Sequence, residues 1–129
     1  MKITIETIPH SEQRYPTVGD WQFLGDDLLI RVSNMEDWKK EALVGIHELV
    51  EALLCKSRGI TQEEVDKFDM AYTGEDMDPG NNYSSPYFPQ HHMACLVEKL
   101  FQELLAVDEE DYEAAIDLLY NSKSAKRAN

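Results

Sequence analysis

The chain has 129 residues, of which 43% are hydrophobic, enough for a single domain around one core. Twelve basic residues against twenty-five acidic ones leave a net charge of −13, which repels nucleic-acid phosphate and anionic lipid over most of the surface and argues against DNA, RNA or membranes as partners. No apolar run approaches the ~20 residues of a membrane span, no signal-peptide core follows Met1-Lys2, and Cys55 and Cys95 are too few for a secreted disulfide scaffold, so a cytoplasmic protein with reduced thiols is expected.

Lys2 to Glu6 alternates and is β-branched, predicting a short strand that ends before Pro9, and residues 10–16 read as loop. Trp21 to Leu24, the turn Gly25-Asp26-Asp27, and Leu28 to Val32 form a hairpin pattern. Ser33-Asn34-Met35-Glu36 has the S-x-x-E spacing of a capping box, and the helix it introduces runs to Gly59 as its C′ stop. Thr61-Gln62-Glu63-Glu64 is a second capping box, opening a short helix with Val65, Phe68 and Met70 turned inward. Residues 73–85, with Gly74, Pro79 and Gly80, are long enough for a functional or mobile loop. Asp76-Met77-Asp78-Pro79-Gly80 starts like a calcium loop, but Asn81 stands where glycine is required and Tyr87 where glutamate is, which excludes an EF-hand. Ser85-Pro86 introduces a helix to about Val107. Asp108 caps a last helix with Tyr112, Ala115, Ile116 and Leu119 on its inner stripe. The predicted architecture is α+β: a small N-terminal antiparallel hairpin or sheet, then about four helices, two of them long and packed together. The domain covers residues 1–120, and residues 121–129, with Lys123, Lys126 and Arg127, form a flexible basic tail.

The segment Ile46 to Cys55, I-H-E-L-V-E-A-L-L-C, carries the strongest chemical signal. His47, Glu51 and Cys55 recur every fourth residue and stack along one side of the helix, on the border of an apolar stripe of Ala42, Leu43, Ile46, Leu49, Val50, Leu53 and Leu54. Between His91 and Leu105 the pattern repeats: His91, Cys95 and Glu98 flank a stripe of Met93, Ala94, Val97, Leu100, Phe101, Leu104 and Leu105. If the two helices pack along their stripes, His47, Glu51 and His91 offer two imidazoles and a carboxylate, a common ligand set for Zn²⁺ or another divalent metal. Glu98, Cys95 and Cys55 are candidates for the surrounding shell. The structural alternative is an ordinary polar pair of His47 with Glu51 or Glu98 and no metal.

The H-E-L-V-E of His47, Glu48 and Glu51 resembles the H-E-x-x-H helix of the zincin metallopeptidases, with Glu51 in place of the second histidine, over about thirty residues that include the strand-like Leu28 to Val32. That resemblance implies a metal-dependent hydrolase in which Glu48 is the catalytic general base and a third ligand comes from later in the chain. A weaker likeness to HD-type phosphohydrolases rests on His47-Glu48 and would need an upstream histidine, for which His10 is the sole candidate. The whole chain also resembles small proteins of tailed phages and prophages. This places it in a host cytoplasm and implies an alternative: a non-enzymatic protein whose acidic surface engages a basic host protein, or a homo-oligomer that sequesters a small ligand.

Overall fold

The computed structural model describes residues 1–76 and 78–128, with side chains as far as residue 121. It is α+β: a three-stranded sheet at the N-terminus followed by four helices. Strands β1 (Ile3–Ile8), β2 (Gly19–Leu24) and β3 (Asp27–Ser33) lie in the order β1-β3-β2. The hairpin is antiparallel, with Trp21 opposite Ile30, whereas β1 pairs parallel to β3, with Ile5 opposite Ile30. The sheet is therefore mixed. Local alternation marks a strand but carries no information about the direction of its neighbour, which here is set by residues 9–18 carrying the chain from one sheet edge to the other. In the central strand Leu28, Ile30 and Val32 are buried and form the floor of the core.

Helices α1 (Trp38–Ser57), α2 (Gln62–Ala71), α3 (Phe88–Leu104) and α4 (Glu109–Ala128) follow. Asp37, not Ser33, caps α1, accepting hydrogen bonds from the Lys39 and Lys40 amides. Ser33 closes β3 instead, fully buried, with its hydroxyl 2.7 Å from His10 Nδ1 and 3.1 Å from Gln13 Nε2. Tertiary hydrogen bonds thus occupy the side chain that the local pattern assigned to the helix. The far end of α1 is as expected: the Gly59 amide donates to Lys56 O and the Ile60 amide to Cys55 O, the paired bonds of a Schellman motif. Thr61 caps α2 through its hydroxyl, and Val65 is buried, but Met70 is exposed. Helix α3 begins at Phe88 with Pro89 in its first turn, and Asp108 Oδ2 caps α4 at the Asp111 amide. The basic tail expected over residues 121–129 falls on residues whose side chains, from 122 onward, lie outside the described part. No helix among the described residues is long and apolar enough to cross a membrane.

Helices α1 and α3 pack against each other in opposite directions. Lys39 Nζ donates to Leu105 O, His47 meets Glu98, and Glu51 meets His91, so residue numbers rise along one helix as they fall along the other. The inner faces differ from the apolar stripes. In α1 the buried set includes His47 and Glu51, while Leu53 is exposed; in α3 it is His91, Ala94 and Gln102, while Met93, Leu96, Leu100 and Leu104 face outward. The polar shoulders read from the sequence are the interior of the helix pair, an arrangement that costs little because these polar groups hydrogen-bond one another.

Candidate metal centre

Each group at the centre is delivered by a regular element. His47 and Glu51 lie one turn apart on α1, and His91, Cys95 and Glu98 occupy successive turns of the inner side of α3. They border a cavity of about 430 Å³ whose other walls come from β2, α2, α4 and the segment around Asp78. An ion pair fastens one wall: Arg14 reaches Asp20 at 2.7 Å and Asp66 at 3.1 Å, tying the loop before β2 to α2.

Three potential ligand atoms converge. His47 Nε2 stands 3.1 Å from Glu51 Oε2 and 3.2 Å from His91 Nδ1, and His91 Nδ1 stands 2.9 Å from the same Glu51 oxygen. Ligands held about 2.0–2.1 Å from a tetrahedral zinc ion are separated by about 3.3 Å, so the triangle is within a few tenths of an ångström of a coordination face. Cys95 joins the cluster from the other side of the His91 ring, with Sγ 3.4 Å from His91 Nε2. His47, His91 and Cys95 form a group able to hold a metal ion, their ligating atoms within 4.8 Å of one another.

The outer nitrogens of both imidazoles face oxygen acceptors. His47 Nδ1 lies 2.8 Å from Glu98 Oε1, and the second oxygen of Glu98 accepts from the Tyr112 hydroxyl at 2.5 Å. His91 Nε2 lies 3.0 Å from Asn81 Oδ1 and 3.3 Å from Asp78 Oδ2. These acceptors take the N–H of each neutral ring and leave the lone pairs of His47 Nε2 and His91 Nδ1 pointing at each other and at Glu51. Two facing ring nitrogens 3.2 Å apart cannot both carry a proton. The arrangement calls for one cation at its centre, either a proton on one ring or a metal ion.

The surroundings tune these groups. Burial works against ionisation of Glu51, but the proton shared by His47 and His91, which either ring can donate to Oε2, outweighs it and holds the carboxyl at about 2. Its other oxygen accepts from Trp21 Nε1 at 3.0 Å. Burial also opposes protonation of the imidazoles, yet contacts with Cys95, Glu51 and neighbouring carboxylates outweigh it, so the facing pair keeps one shared proton to a pH well above the usual histidine range. For Cys95, burial is outweighed by hydrogen bonds to the two histidines, which bring the thiol below its ordinary value. Glu48 differs: burial and the charge of Glu51 raise it well above the usual carboxylate range. It lies against β2, where a Cβ at Gly19 would come within 2.6 Å of its Oε1, so only glycine leaves room for the carboxylate. A Cβ at Gly80 would likewise fall 2.5 Å from the His91 ring, whose position depends on that bare backbone.

The structure therefore brings His47, Glu51, His91, Cys95 and Glu98 together, with Glu48 on the wall of the same cavity. It places Cys55 elsewhere, fully buried in the hydrophobic core, where burial and the charge of Glu51 push its thiol up to about 12. His10 bonds Ser33 and does not line the cavity. Trp21, Asp78, Asn81 and Gly80 were not legible as site residues. Trp21 reads as a core aromatic, which it also is, and the 73–85 loop contains no pattern that names the histidine it will contact. Trp21→Phe keeps an aromatic ring and removes the donor to Glu51; the affinity of the cluster for an added divalent metal should fall about 10–100-fold, measured by competition with a chromogenic chelator.

Asp69 provides a separate handle on the cavity. Its carboxylate accepts from the Tyr87 hydroxyl at 2.6 Å and the Tyr15 hydroxyl at 3.2 Å, yet burial, the largest influence, raises it to about 7. The folded state thus holds a proton that the unfolded chain releases near pH 4, and the stability this contributes is lost as pH rises through 7. Between pH 5.5 and 8 the Asp69→Asn variant should lose less stability than the parent by about 1–2 kcal/mol, read from urea unfolding at both pH values. Equal losses in the two proteins would refute the assignment.

Comparison of the chain with protein-family models, with curated proteins and with solved structures returns no match.

Proposed function

We propose that the protein binds a divalent metal ion, zinc in the first instance, through His47, Glu51 and His91, and uses it to hydrolyse a peptide-like substrate. The observation that carries this reading is the triangle of His47 Nε2, His91 Nδ1 and Glu51 Oε2, with separations of 2.9–3.2 Å and outer nitrogens engaged by Glu98, Asp78 and Asn81. Hydrogen-bonded outer partners of this kind orient metal-binding imidazoles and raise their basicity. Two imidazoles and a carboxylate suit zinc and leave a fourth position for water or substrate.

A divalent ion held there would polarise a carbonyl group and lower the pKa of a water molecule to about 7. Glu48 is the general base by its place on the cavity wall, one residue from His47, where Gly19 leaves room for its carboxylate. The charge of the cavity favours a peptide-like carbonyl over phosphate. Its lining includes Asp20, Asp69, Asp78 and Glu98 and, among the described residues, no lysine or arginine to receive an anion. The H-E-x-x-E resemblance to zincins agrees with this assignment of roles to His47, Glu48 and Glu51.

Protein purified without a histidine tag should contain about one equivalent of metal, lost in His47→Ala and in His91→Ala. A quenched fluorescent peptide pool should be cleaved, with activity removed by chelation and restored by zinc. Metal well below one equivalent after zinc reconstitution would overturn the proposal; full occupancy without cleavage of any peptide would overturn its hydrolytic part.

A further inference from the structure

Helix α3 turns His91, Cys95 and Glu98 inward and its leucines outward. At roughly 100° per residue, Met93, Leu96, Leu100 and Leu104 fall on one side, opposite His91, Glu98 and Gln102, with Phe101 at the margin. The exposure is large: 63% for Leu96, 57% for Leu100 and 69% for Leu104. A soluble helix ordinarily turns such a stripe toward its own core. Here the core side is taken by the polar groups of the cavity, and the apolar side has no partner among the described residues.

We propose that this outward face of α3 is the contact surface of a homodimer, packed against the same face of a second copy about a two-fold axis. Two arguments select a second copy. The first is area: the five side chains named above leave on the order of 500 Å² of apolar surface open, as much as a typical monomer carries in its largest patch. Facing the same surface of a second copy, it would bury on the order of 1,000 Å² in total, the least that a specific interface needs. The second is charge. A chain of net charge −13 repels its own copies over most of its surface. The outward side of α3 from Met93 to Leu104 carries Lys99 and Glu103, one of each sign, so it is a place where two copies meet without that repulsion. A basic partner would be drawn to a cluster of carboxylates, whereas this face offers the single carboxylate of Glu103 beside the ammonium of Lys99. A two-fold contact is closed and self-complementary, so it buries the stripe without generating fibres.

The test is sedimentation equilibrium of the intact protein from about 5 to 200 µM, a range that reports dissociation constants in the micromolar region. The parent chain should sediment at twice 14.8 kDa, and Leu96→Glu and Leu100→Glu should each raise the dissociation constant at least about 100-fold and leave single chains. Far-UV circular dichroism and zinc stoichiometry should match the parent, because neither residue touches the core or the metal centre. Should either glutamate variant lose helical signal, Leu96→Ser with Leu100→Ala is read in its place. A parent mass other than two chains across the whole range overturns the proposal, and so does a dimer that persists in the folded variants. Because mass is read independently of metal content, failure here is distinguishable from failure of the metal site.

Discussion

Zinc added to the metal-free protein will raise its thermal midpoint by about 15 °C, and His91→Ala will abolish the gain. Folding forces His47 Nε2, His91 Nδ1 and Glu51 Oε2 to within 2.9–3.2 Å of one another in a buried pocket. The three are all acceptors when the rings are neutral. Bringing acceptors together is unfavourable until a cation stands among them, and the unfolded chain has no such arrangement. Metal binding therefore favours the folded state by RT ln(1 + [L]/Kd), about 4–5 kcal/mol for ~10 µM free zinc and a dissociation constant of about 2–10 nM. For a domain of this length each kilocalorie moves the midpoint by about 3–5 °C. Differential scanning calorimetry with and without zinc chloride measures it. An unchanged midpoint in the parent protein would mean that the triangle is a hydrogen-bonded cluster served by a proton alone.

Glu48→Gln will lower peptide hydrolysis about 10²–10⁴-fold while leaving one equivalent of zinc in place. The glutamine has the same shape, so it fills the notch above Gly19 and beside Val44 without new contacts. What it lacks is a basic oxygen. Glu48 lies on the cavity wall but makes none of the short contacts that join His47, Glu51 and His91, so its substitution separates proton transfer from metal occupancy. Unimpaired turnover would transfer the role of base to another carboxylate, with Asp69 and Asp78 as the next candidates on the wall. Simultaneous loss of metal and turnover would make Glu48 a ligand and remove the zincin-like assignment of roles.

The residues of the centre were legible to different degrees. His47, Glu51, His91, Cys95 and Glu98 stood out because helical spacing alone puts the members of each helix on one side. Trp21, Gly80, Asp78 and Asn81 did not, because each reaches the centre through a contact distant in sequence or from an irregular loop. Trp21 is thirty positions from the carboxylate it orients. The apolar stripe of α1 does reach the core through Leu43 and Leu49, but the inward direction of α3 was misjudged for a related reason. Periodicity reports which residues share a face, and the more apolar face is then taken as buried. In α3 that inference inverts, since Leu96, Leu100 and Leu104 are exposed and His91 is 1% exposed. A cluster of mutually satisfied polar groups around a cavity can occupy the interior when it has partners on the facing helix, and no single-helix pattern reveals those partners.

Local chemistry determined the hairpin, the cap at Thr61, the Schellman stop at Gly59 and the four helices, because each depends on contacts within a few residues along the chain. The same locality made the His/Glu/Cys spacing on each helix readable. Tertiary structure alone decided that β1 joins β3 in parallel, that Ser33 serves His10 and Gln13 instead of a helix, and that α1 and α3 pack in opposite directions so that residues 47, 51 and 91 meet. Those outcomes are choices among alternatives with equal local merit, and they are resolved only when the whole chain closes around one cavity and each buried polar group must find its partner.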